Sequence, residues 1–155
     1  MKKLAPLAFA LVSCLAAVPA VAQEHWTEGP VWEVSVYRTK PGKFDDYVKY
    51  LRGNYIVTTA ESKKQGLILD SKVFVNPAPS GPNDWDICIA TLFPSYAKAL
   101  DYSASDEEKE KAIASKHYKT ADEKKQQEMA APRFQWREFL STKYVREVTL
   151  KPLAP

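Results

Sequence analysis

Residues 31–38, VWEVSVYR, divide by simple alternation into two faces: Trp32, Val34, Val36 and Arg38 against Val31, Glu33, Ser35 and Tyr37. Alternation rich in β-branched and aromatic residues predicts a strand. Pro41 and Gly42 break it, because proline lacks an N–H and glycine accepts positive φ. Beyond them the period lengthens. Phe44, Tyr47, Val48, Leu51 and Tyr55 recur at steps of three and four, the stripe of an amphipathic helix. Asp45 and Asp46 fall in its first turn, where negative charge suits the free N–H groups. Gly53 and Asn54 weaken this helix, which is expected to kink there or to restart before residues 60–64. Gly66 then fits a C-terminal cap, preceded by Lys63 and Lys64.

The same pattern returns further on. Residues 67–76, LILDSKVFVN, alternate as a second strand, and residues 77–84, PAPSGPND, form a proline-rich loop. Residues 85–93, WDICIATLF, are a third strand, most simply antiparallel to the second. Pro94 and Ser95 open a short helix over residues 96–102. Ser105 and Glu108 make a capping box for a long polar helix reaching about Met129, with Ile113, His117 and Ala121 on its inward line and Ala114 and Tyr118 beside it. Pro132 ends it. Residues 133–140, RFQWREFL, are an aromatic return of undetermined type, and residues 142–150 read as a last strand.

The order is β-α-β-β-α-β, which predicts one α+β domain: a four-stranded antiparallel sheet with both helices on one face, the ferredoxin-like arrangement. The first and last strands are not expected to be neighbours. Both faces of the first two strands carry apolar residues, so a second protomer is expected to cover the face the helices leave open.

The N-terminus adds a compartment. Lys2 and Lys3, an apolar run and Ala20-Val21-Ala22 form a signal-peptide pattern with cleavage after Ala22. Export to the periplasm or outside the cell is therefore expected, with 1–22 as signal and 23–155 as the mature domain. The alternative is a lipoprotein, since Leu11-Val12-Ser13-Cys14 has a lipobox shape; the apolar residues after Cys14 argue against it. Residues 23–30 read as a polar lead-in, with His25 and Trp26 in an arm or docked terminus. Removing the signal lowers the formal net charge from +3 to +1. That balance offers no electrostatic case for nucleic acid or for an anionic membrane, and no span is expected in the mature chain. Cys88 would then be the sole cysteine, within an apolar run, and reads as a small buried residue with no disulfide partner.

The strand, KPGKF turn and helix at the start, with REVTLKP at residues 146–152, resemble the dimeric α/β-barrel superfamily, especially its NIPSNAP-like members. The resemblance covers most of residues 31–151. It implies a homodimer whose two sheets pack face to face into a barrel, with a pocket in each protomer between sheet and helices. The superfamily includes haem-handling proteins, cofactor-independent monooxygenases and isomerases, and the fold does not choose among them.

The sequence holds no nucleophile elbow, zinc-protease motif, C-x-x-C, Walker loop or dinucleotide fingerprint. Its two histidines, His25 and His117, are too few for a histidine-rich metal site, so no cofactor or metal is assigned. His117 faces inward on its helix. In haem-binding relatives a helical histidine reaches the iron, although no motif around His117 matches; the plain alternative is a packed or hydrogen-bonded residue. Glu33, Ser35 and Tyr37 share one face, as do Tyr144 and Arg146, and Glu33 is a candidate ion-pair partner of Arg146. Trp85 and Trp136 are aromatic enough to stack on a flat ligand. Tyr37, Trp85, His117 and Arg146 are the expected ligand-binding residues. The function expected is an exported, dimeric protein that binds a small apolar or aromatic ligand or serves in stress. The alternatives are a small oxygenase or isomerase and an envelope interaction module.

Overall fold

The computed structural model describes residues 25–153, so the expected signal at residues 1–22 and Cys14 lie outside the described residues. The elements are β1 (Trp26–Thr39), α1 (Phe44–Tyr50), a π-helical turn (Leu51–Tyr55), α2 (Ile56–Lys64), β2 (Asp70–Val75), β3 (Ile87–Phe93), α3 (Tyr96–Leu100), α4 (Ala104–Tyr118), α5 (Glu123–Ala130), α6 (Arg133–Trp136) and β4 (Arg137–Leu150). The four strands form one sheet in the order β2-β3-β1-β4, and every neighbouring pair is antiparallel. This α+β layout is compatible with a ferredoxin-like fold.

The order corrects one expectation. β1 and β4 are neighbours, paired from Trp26 opposite Leu150 to Thr39 opposite Arg137, with irregularities after Glu28 and Val36. Each helical crossover skips one strand, β1 to β2 past β3 and β3 to β4 past β1, so the two split units interlock and leave β1 and β3 central.

Local chemistry explains most boundaries. At residues 40–43 the Lys43 N–H donates to the Lys40 carbonyl at 2.9 Å while Gly42 takes φ +72°, a tight turn with proline second and glycine third. The helix that follows does not stop at Gly53. It passes through a π-helical turn, in which the Ile56 N–H reaches back to the Leu51 carbonyl, and continues to Lys64. Gly66 (φ +71°) and Leu67 then close its end, donating to the carbonyls of Lys63 and Ser62. That cap holds Leu67 against the helix. Leu67 and Ile68 are therefore buried outside the strand with Ile113 and Phe93, and β2 starts only at Asp70.

The polar helix also differs. Ser103, not Ser105, is its N-cap, accepting from the Asp106 N–H. Lys119 adopts a left-handed conformation (φ 55°) and breaks the run, leaving Ala121 in the gap; Asp122 then caps α5 through the N–H groups of Lys124 and Lys125. Trp26 is part of β1 rather than a loose arm.

All packed helices lie on the sheet face that carries Val31, Ser35, Ile87 and Ile89, where Tyr47, Leu51 and Ile87 form the main core. The opposite face is different. A shallow trough of about 310 Å³ there is lined by strand residues alone, among them Trp32, Val34, Phe74, Cys88, Ala90 and Val145. Cys88 is a free thiol, and burial pushes it above the usual thiol range.

Candidate functional site

Between the sheet and the α1–π–α2 helix lies a cavity of about 260 Å³. Five of the chain's eight tyrosines line it: Tyr37 from β1, Tyr47 and Tyr50 from α1, Tyr55 from the π turn, and Tyr118 from α4. The concentration has a structural cause. In β1 the alternating residues Glu33, Ser35 and Tyr37 point to the helix side, and the turn at Gly42 lays α1 directly over them. A plain α-helix would not keep Tyr47, Tyr50 and Tyr55 on one wall. The π turn adds a residue to one cycle and brings Tyr55 round to face Thr91, with the two hydroxyls 3.4 Å apart.

The rings form a connected set. Tyr37 and Tyr47 meet edge to face with centroids 6.2 Å apart, and Tyr47 stacks on Tyr50 at 6.3 Å. Two guanidiniums enter from the chain that returns to the sheet. Arg137 lies with its guanidinium carbon 3.7 Å from the centre of the Tyr37 ring and 5.2 Å from that of Tyr47. Arg133 donates to the Tyr50 hydroxyl at 3.2 Å. The other end of the cavity is acidic and polar: Glu33 accepts from the Tyr144 hydroxyl at 2.9 Å, and Ser35 and Thr142 share a hydrogen bond at 2.7 Å.

Phenol acidities report the same enclosure. Burial pushes the Tyr47 phenol well above the usual range, with the Arg137 charge opposing it. Burial also raises Tyr55, against hydrogen bonds from Thr91 and Ser71. Tyr144 is raised by burial first and then by its bond to the Glu33 carboxylate. All three are held as neutral phenols, donors at ordinary pH.

The four residues expected from sequence to bind ligand are not brought together. Tyr37 lines the tyrosine cavity. Trp85 sits in the loop before β3, its carbonyl accepting from the Asn76 amide at 3.0 Å, and does not border that cavity. Arg146 lies near the far end of β1, where it pairs with Glu28 and stands 4.7 Å from the centre of the Tyr96 ring. The expected Glu33–Arg146 pair does not form, because the register sets Tyr144 opposite Glu33 and Arg146 opposite Val31. His117 lines a separate cleft of about 300 Å³ between α2 and α4. It meets the walls of the tyrosine cavity through Tyr118, whose ring it contacts edge to face with centroids 4.7 Å apart, and through Asn54: the His117 Nε2–H donates to the Asn54 side-chain oxygen at 2.9 Å, while the Asn54 amide donates to the Tyr50 carbonyl at 3.1 Å. Histidine and asparagine thus brace the π turn from outside.

Arg133 and Arg137 were hidden from sequence reasoning because residues 133–140 show neither period cleanly. The chain makes one helical turn at α6 and becomes strand at Arg137, so the two arginines share no single face rule. A larger recess of about 540 Å³ lies on the other side of Glu33, where Lys98 is already paired with Asp106. Among the described residues no three histidine, cysteine, aspartate or glutamate side chains converge as a metal site requires. No helix among them is long and apolar enough to cross a membrane. No family model matches the chain, and no curated protein matches it.

Proposed function

We propose that this protein is exported and acts as a homodimer, joined sheet to sheet, that binds a small aromatic ligand in the tyrosine cavity of each protomer. The observation that carries the reading is the cavity itself, a concave space walled by aromatic rings with a few convergent polar groups. Its volume lies below the roughly 300–1,000 Å³ of sites for drug-sized molecules, which favours a ligand of one ring.

The helix-free sheet face supports the dimer. Phe74 and Val145 are each about half exposed there, and burying the exposed halves stabilises association by about 1 kcal/mol apiece. The residues 1–22 pattern supports export, with a mature start at Gln23.

Four measurements test the reading. Light scattering should give twice the mass of the mature chain. Val34→Asp places a charge in the trough without touching the core, and should raise the dimer dissociation constant about a hundredfold or more while the monomer stays folded, since an unpaired buried charge costs several kcal/mol. Terminal sequencing should find Gln23, and an acylated Cys14 would overturn soluble export. Titration with phenol, indole and benzoate should quench the intrinsic fluorescence saturably. A folded monomer whose fluorescence responds to none of them would sink the proposal.

A further inference from the structure

We infer that the tyrosine cavity selects an aromatic carboxylate, its anionic end against Arg133 and Arg137 and a hydroxyl or amino group at the opposite end of the ring against Glu33. The inference rests on the cavity being the ligand site, as proposed above, and adds the chemistry of what enters it.

The partners of the arginines carry the argument. Among the described residues, four guanidinium Nε atoms are buried without an acceptor, those of Arg38, Arg133, Arg137 and Arg146. Two of the four have a carbonyl or carboxylate oxygen elsewhere on the same group: Arg38 donates to the Gly81 carbonyl, and Arg146 pairs with Glu28. Arg133 has one phenol oxygen, and Arg137 meets the faces of two rings. Neither forms an ion pair with a carboxylate among the described residues. A guanidinium presents five donors in a planar fork matched to two carboxylate oxygens, so this corner holds donors that an organic anion satisfies and a neutral ring does not. Tyr37 and Tyr47 under Arg137 supply the flat walls, which suits an aromatic acid better than a phosphate or an aliphatic one.

Polarity along the cavity fixes the orientation. Glu33 and Tyr37 are four residues apart on β1, about 13 Å at the strand rise. The cationic corner is at the Tyr37 end and the carboxylate of Glu33 at the other. Glu33 repels a second anionic group and accepts from a ligand hydroxyl or amine. A dicarboxylate is therefore excluded in favour of a monoanion with a donor at its far end.

Calorimetric titration of the mature protein with 4-hydroxybenzoate, its neutral amide 4-hydroxybenzamide, and phenol tests this directly. The acid should bind about tenfold or more tighter than the amide, the value of a charge-assisted hydrogen bond. Arg137→Gln should abolish that preference, with an unchanged circular dichroism spectrum and urea midpoint showing that the variant is folded. Arg137→Lys, keeping the charge without the fork, should retain part of it. Because the acid–amide comparison is made first on the unaltered protein, it does not depend on any variant folding. Equal binding of acid and amide would overturn the inference and leave the aromatic cavity standing. Binding of phenol alone would do the same. No binding of any of the three would overturn both.

Discussion

Ile87→Ala should cost the folded protein about 2–5 kcal/mol, a large part of the roughly 5–15 kcal/mol that holds a domain of this size together. Ile87 is fully buried at the start of β3, among Tyr47 and Leu51, and its strand neighbours are Tyr37 on one side and Val75 on the other. Removing three carbons there opens a void that no loop can fill, because the residues above it belong to the α1–π–α2 helix and those beside it to paired strands. Ile87→Val, which removes one carbon, should cost only about 0.5–1.5 kcal/mol. Urea denaturation checks both, the midpoint shifting at constant slope. A loss below 1 kcal/mol for the alanine variant would mean that the helix does not pack over β3 as described.

The second large effect is alkaline unfolding. Tyr47, Tyr55 and Tyr144 all have phenols raised by burial. A phenol whose folded acidity constant lies above the unfolded value of about 10 contributes stability that is complete below pH 10 and is lost as the pH climbs toward the folded value. The folded state holds its protons longer than the unfolded chain does, so stability falls with rising pH in that window. Unfolding should therefore be cooperative above about pH 10, with the phenolate absorbance at 295 nm appearing together with the loss of ellipticity. Tyr47→Phe, which removes the most strongly raised of the three, should move the alkaline midpoint upward. If absorbance instead rises gradually at pH 10 while the fold persists, Tyr47 is solvated.

Much of the sheet was legible because alternation depends only on which side of a strand each residue faces. Residues 31–38 and 142–150 both fall inside their strands. The extension of β1 back to Trp26 was not legible, since residues 23–30 read as a polar lead-in and Gly29 and Pro30 interrupt the alternation. What keeps it straight is the partner strand, which absorbs the irregularity between Glu28 and Val31. Residues 67 and 68 failed for the opposite reason. Their apolar character is equally good for a strand or for a core plug, and the cap at Gly66 decided it. In the long polar helix, Asp122 is a strong cap, but capping residues inside a helical composition carry no weight until the chain has somewhere to turn.

The candidate site was legible only in part. Tyr37, Tyr47 and Tyr55 stood out on their stripes, whereas Tyr50 is off-stripe for any regular helix. Arg133 and Arg137 lie across a helix-to-strand junction that no single period describes. Trp85 attracted attention through residue type alone, and Arg146 through its type and the face it shares with Tyr144. Type says what a side chain is able to do, and only register says where it does it.

The π turn makes the aromatic wall a matter of counting. Residues 44–64 are one continuous helix carrying a single surplus residue, at Leu51–Tyr55. Deleting Gly53, which is exposed and has no atom within 4 Å of where a side chain would begin, removes little in the way of contact. It would let the turn relax to an ordinary α-helix in which the residues before and after keep nearly their present phase, because the surplus residue is what the π turn absorbs; the undeleted segment wound as plain α-helix would instead be turned by about 100°. Tyr47 and Tyr50 would then stay on the side on which Tyr55 and Thr58 stand. In the vocabulary of alignment, a one-residue gap at this place is silent: chains sharing the sheet but lacking the insertion would keep both the architecture and the aromatic wall, whereas a gap that left the π turn in place would turn Tyr47 and Tyr50 away from Tyr55.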